Sequence, residues 1–62
     1  MVDYVFKLDR LNNKDEQERL RQAWNDGYRI VVESDLPEVY RRETEQWLIT
    51  HVGYYHEVRM CG

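Results

Sequence analysis

Tyr28-Arg29-Ile30-Val31-Val32-Glu33 is the stretch whose reading decides the fold. It is short, β-branched at its centre, preceded by Gly27 and followed by Ser34-Asp35-Leu36-Pro37, which marks a strand. Successive strand side chains point to opposite faces, so Tyr28, Ile30 and Val32 share one face and Arg29, Val31 and Glu33 the other. Ile30-Val31-Val32 is also the longest purely aliphatic run, far short of a membrane span or a signal-peptide core.

Before this strand the pattern is helical. Asn13-Lys14-Asp15-Glu16 has the form of a capping box, with an N-cap oxygen and a carboxylate three residues on. The helix runs to about Asp26 and stops at Gly27, the residue best suited to a left-handed cap. Its apolar stripe is thin: Leu20, Ala23 and Trp24. Lys14/Glu18, Asp15/Arg19 and Glu18/Arg21 stand at helical pair spacing, as on an exposed face. Earlier still, residues 2–8 alternate, with Val2, Tyr4, Phe6 and Leu8 against Asp3, Val5 and Lys7, and predict another strand.

After the central strand, Asp35-Leu36-Pro37-Glu38 predicts a second helix with Asp35 as cap and proline in the first turn. Leu36, Tyr40, Thr44, Trp47, Leu48 and His51 form its inner side, Glu38, Arg42 and Glu45 its outer side, and Gly53 ends it. The tail alternates again, with Tyr54, His56, Val58 and Met60 against Tyr55, Glu57, Arg59 and Cys61.

The order is therefore β-α-β-α-β. Strand–helix–strand units make right-handed parallel crossovers, so a sheet order of 1-2-3 puts both helices on one face. An order of 2-1-3 would bury the first strand on both sides, against the presence of Asp3, Lys7 and Asp9. The expected fold is a small two-layer α/β sandwich, a three-stranded parallel sheet with two helices on one face. An antiparallel last strand is the alternative.

At 62 residues, 42% hydrophobic and 34% charged, the chain allows one domain over residues 1–62 and no second core. A chain this short buries only about 60% of its unfolded surface and is marginally stable by default. Trp24 and Trp47, on the stripes facing the sheet, are expected to carry much of the core. The single cysteine, Cys61, has no internal disulfide partner, which fits a reducing, cytoplasmic setting. Residues 1–31 hold six basic and six acidic side chains, and residues 32–62 hold three and six, so the net charge of −3 sits in the second half. Nucleic-acid modules present a basic face and anionic membranes repel an acidic one, which leaves proteins or small molecules as partners.

The chemistry-bearing residues point away from catalysis. Ser34 lacks a glycine-flanked elbow and suits a turn or cap. His51, His56 and Cys61 lack metal-ligand spacing and a fourth ligand, so no metal and no cofactor are expected. Pairs such as Glu43 with Glu45 read as solvated helix faces, and no two glycines are close enough to cradle a phosphate.

The most informative face is the one the helices leave uncovered, because parallel sheets are normally covered on both sides. Val5, Val31 and Tyr55 are expected there as an apolar row, rimmed by Arg29, Glu33 and Arg59. Apolar anchors in a charged rim are the anatomy of a protein interface. The functional expectation is a small cytoplasmic protein-binding module without catalytic activity, a regulator, inhibitor or adaptor of the kind phages also encode. Its partner is another protein or itself, as a homodimer. The alternatives are a nucleic-acid binder stacking bases on Tyr55 of the open sheet, and an obligate homo-oligomeric subunit. The edge strands and the helix surface around Arg42 and Ile49 are rival docking routes.

Overall fold

In the computed structural model, which describes residues 2–62, the aliphatic stretch runs through the middle of the molecule. The elements are β1 (Asp3–Lys7), α1 (Lys14–Asn25), β2 (Arg29–Ser34), α2 (Arg41–His51) and β3 (Glu57–Met60), with 3-10 turns at Leu8–Asn12 and Glu38–Tyr40. The three strands are parallel in the order β1-β2-β3. Register pairs Asp3 with Arg29, Val5 with Val31 and Lys7 with Glu33, then Val31 with Glu57 and Glu33 with Arg59. Leu20 and Ala23 of α1 and Leu48 of α2 close on Phe6, Ile30, Val32 and Val58, so both helices cover the same face. The two-layer β-α-β-α-β expectation is what is found, with β3 parallel.

Local chemistry shapes the ends of the elements. Asn13 Oδ1 accepts the Asp15 N–H at 2.7 Å and caps α1. The reciprocal half of the box does not form. The Asn13 N–H that Glu16 would receive already donates to Arg10 O at 3.1 Å, and Glu16 pairs with Arg19 at 2.9 Å instead. Gly27 and Gly53 stop the helices at φ of +89° and +82°, where a β-carbon is disfavoured.

The start of the second helix and the extent of the last strand differ from the sequence reading. The second helix begins at Arg41, because Pro37 is extended at ψ 157° and a short 3-10 turn intervenes. Ser34 Oγ accepts the Leu36 N–H at 3.0 Å, so this serine shapes a turn, and Asp35 caps nothing. β3 is four residues long, and its line continues as Cys61 and Gly62 donate to Ser34 O at 2.7 Å and Leu36 O at 3.2 Å. A β-carbon on Gly62 would stand 2.1 Å from Asp35 O, so only glycine fits that approach.

The core is aliphatic. Leu11, Leu20, Ile30, Val31, Val32 and Leu48 are fully enclosed. The tryptophans, expected as its main members, are half-buried at its margins. Trp24 stacks on His56 with centroids 4.6 Å apart, and Trp47 lies 4.8 Å from His51. Among the described residues no helix is long and apolar enough to cross a membrane.

Candidate functional site

The uncovered sheet face carries three acids, Asp3, Glu33 and Glu57, and three bases, Lys7, Arg29 and Arg59. Register sets opposite charges beside one another. Lys7 Nζ meets Glu33 Oε1 at 2.5 Å, and Glu57 accepts from Arg29 at 2.7 Å and from Arg59 at 2.8 Å. Asp3 lies 3.7 Å from Arg29 and 4.0 Å from Arg59. Since β2 separates β1 from β3, the reach of Arg59 to Asp3 crosses above Val31. Long side-chain stems of this kind cover apolar surface while their heads stay in water, and Val31 is 0% exposed. Hydrogen bonds from Arg59 and then Arg29 hold the Glu57 carboxyl below the usual range, and Lys7 does the same to Glu33.

The expected row of Val5, Val31 and Tyr55 is therefore not assembled. Val5 stays 45% exposed, Val31 is sealed, and Tyr55 is on the other side of the sheet. Period-two parity places Tyr55 with Glu57 only if the strand begins at Tyr54, and it begins at Glu57. Residues 54 and 55 are irregular instead, and the chain bends at His56. The His56 N–H donates to Ile30 O, and the Ile30 N–H donates to His56 Nδ1, both at 2.9 Å. Tyr55 is left half-buried against the helix-side core, its hydroxyl donating to Glu45 of α2 at 3.5 Å. Burial there, then the Glu45 charge, push its phenol above its ordinary value. Arg29, Glu33 and Arg59 do share the open face, as members of the charge lattice.

Two concavities mark the surface, one not foreseen and one at the helix surface around Arg42 and Ile49 that the sequence offered as a rival docking route. The first, about 360 Å³, opens at the carboxyl ends of β1 and β2, the end at which open α/β sheets take ligands. Leu8, Leu36, Tyr40 and Trp47 give it apolar walls, and Asp9, Asp35 and Glu43 give it charge. These carboxylates come from the first 3-10 turn, the loop after β2, and α2. Only their scatter along the sequence hid them, because no pattern of spacing joins residues 9, 35 and 43.

The second is a shallow depression on the outer flank of α2, where Arg42, Gln46 and Ile49 follow one another at helical spacing. Val39 at its rim is 79% exposed and Ile49 is 66% exposed, and the Tyr55 ring lines it. The adjoining outer edge of β3 is partly closed. Arg41 Nη1 donates to Val58 O at 2.9 Å, a carbonyl turned away from β2 by the alternation that gives Cys61 N–H to Ser34 O. Pairing an edge acceptor with a charged side chain blunts strand addition there.

Fold and site together define a three-stranded parallel α/β domain with an ionic sheet face and two surface concavities. The chain matches no known family model, no curated protein and no solved structure.

Proposed function

We propose that this chain is a protein-binding module without catalytic activity of its own, docking its partner on the outer flank of α2. One observation carries the reading: Val39 and Ile49, 79% and 66% exposed, border the same depression as Tyr55. Single exposed apolar residues are ordinary. Two of the most exposed ones flanking an aromatic ring match the anchor-and-rim anatomy of interfaces. Arg42 makes no ion pair among the described residues, while Glu38 is taken by Arg41. A protein segment presenting an apolar side chain beside a carboxylate would complement this surface. The exposed thiol of Cys61 suits a reducing, cytoplasmic setting.

The test is Val39→Glu combined with Ile49→Glu, both at exposed positions. The double variant should keep its circular dichroism and lose either capture of the partner or self-association in light scattering. Loss of self-association would name a second copy of the chain as the partner. Normal binding by this variant, with loss in Val5→Lys, would move the interface to the open face and overturn the reading.

A further inference from the structure

The two outer edges of the sheet are finished differently. At β3 the outward carbonyl of Val58 is taken by Arg41 Nη1 at 2.9 Å. At β1 the alternation of the ladder says which groups are left over. Ile30 and Ser34 turn their backbone toward β3: the His56 N–H donates to Ile30 O, the Ile30 N–H to His56 Nδ1, and the Cys61 N–H to Ser34 O. Arg29, Val31 and Glu33 therefore turn theirs toward β1. In this parallel register Val31, beside Val5, bonds to the residues on either side of Val5, which are Tyr4 and Phe6. The Asp3 C=O, the Val5 N–H and C=O and the Lys7 N–H are left pointing out of the sheet. None of them meets a turn, loop or cap among the described residues.

The side chains of this edge fit a reversed copy of themselves. Asp3, Val5 and Lys7 share the open face, an acid and a base equally spaced about a valine. An antiparallel copy centred on Val5 sets Asp3 opposite Lys7 of the second copy, Val5 opposite Val5, and Lys7 opposite Asp3. The outward groups then match, since residues facing one another in a closely spaced pair exchange hydrogen bonds. Each Val5 N–H meets the Val5 C=O of the other copy, and each Lys7 N–H meets its Asp3 C=O. The charges match as well. Register already lines up Arg59, Glu33 and Lys7 across the sheet, alternating in sign. Beyond Lys7 that row continues through Asp3 and Arg29 of the second copy, themselves neighbours in register, so the alternation crosses the junction unbroken. A slip of two residues in either direction loses both charge pairs. Val5, 45% exposed where its register neighbour Val31 is sealed, is covered by its own counterpart.

We propose that two copies of this chain pair through β1, antiparallel and centred on Val5, joining their three-stranded sheets into one. An edge strand carrying charge of one sign repels its own copy and so guards against pairing. This edge carries both signs in the order that attracts an antiparallel copy. Facing charges across strands contribute modestly, and five-residue strands make a small interface, so the association is concentration-dependent. It uses the sheet edge opposite β3, which leaves the outer flank of α2 free on both copies. The pairing is independent of docking at that flank.

Sedimentation equilibrium of the full chain, from micromolar to millimolar concentration, should show a monomer passing to a dimer. Asp3→Lys sets a lysine against Lys7 of the other copy, and Lys7→Glu sets a glutamate against Asp3, each twice per dimer. Each variant alone should dimerise about tenfold more weakly, as facing pairs turn from attractive to repulsive. Mixed in equal amounts the two should associate again, because every facing pair is once more of opposite sign. Val5→Pro removes an N–H that the fold does not use, which an edge strand tolerates, and should give a folded monomer. Val39→Glu with Ile49→Glu should dimerise as wild type does. Circular dichroism checks the fold of each variant. Should a charge variant not fold, hydrogen exchange in wild type reads the same pairing, slowing at the Val5 and Lys7 amides as concentration rises. A wild-type monomer at millimolar concentration, folded charge variants that dimerise alone, a folded mixture that stays monomeric, or loss of the dimer in the Val39 and Ile49 variant would each overturn the proposal.

Discussion

The open sheet face and the cleft are built from the same kinds of side chain, yet their charges are resolved in opposite ways. On the face, strand register brings Lys7 to Glu33 and Arg29 to Asp3 and Glu57, and the array is neutral. In the cleft, Asp9, Asp35 and Glu43 arrive from three elements with no base to meet them. The face spends its charges on one another and roofs Val31 with them. The cleft leaves its charge unmatched. Strand register pairs charges only along the strands, so those carried by turns and by a helix start are left without a partner.

The largest effect expected concerns what both regions stand on. Leu11, fully enclosed, anchors the turn that carries Asp9 to the cleft. Leu11→Ala should cost about 2–5 kcal/mol, of the order of the whole stability of so small a domain. Its thermal melt should lose cooperativity. A sharp transition near that of wild type would mean that the cleft turn is not part of the core.

Val31→Lys probes the roof. At an exposed position this change would be nearly neutral, but here the longer side chain must push aside the Arg59 and Asp3 side chains that cover Val31, costing about 1–3 kcal/mol. Chemical denaturation reads the difference. A midpoint equal to wild type would show that the lattice opens at no cost and that the contrast between the two regions is false.

Next comes acid. Glu33, Glu38 and Glu57 have carboxyls lowered by hydrogen bonds from Lys7, Arg41 and Arg59. A lowered folded value stabilises above the unfolded value of about 4.3 and is lost as pH falls through the folded one. Melting temperature should therefore decline below about pH 4, where these carboxylates take up protons. Glu57→Gln should flatten that decline. An unchanged pH profile in Glu57→Gln would remove this carboxylate from the lattice.

The smallest expected shift separates the two regions by sign. In a chain of net charge −3, removing the unpaired Glu43 charge in Glu43→Gln should raise the melting temperature slightly at low salt, while Glu57→Gln lowers it. Added salt should shrink both differences, because the groups are at the surface. Matching signs would erase the distinction.

Much of the fold was legible in the order of residues. Alternation at 2–8 and 28–33 and the stops at Gly27 and Gly53 gave the element order, and Asp3, Lys7 and Asp9 settled which strand lies at an edge. Leu11 was not legible, since a 3-10 turn has no long apolar period to announce it. Of the candidate site, the charged members of the open face were legible. The side taken by Tyr55 was not.

The division has a physical reason. Side-chain period, the glycine stops and the handedness of crossovers are properties of short, contiguous segments, and the sequence by itself determined them here. Where β3 begins was decided by the His56 hydrogen bonds to Ile30, residues 26 apart in the chain, and that start turned Tyr55 toward Glu45. The burial of Val31 depended on Arg59 reaching across a neighbouring strand to Asp3. The gathering of Asp9, Asp35 and Glu43 at one cleft depended on β1 and β2 ending, and α2 beginning, at the same end of a parallel sheet. Contacts between distant segments exist only once the sheet has formed, so only the tertiary structure decided them.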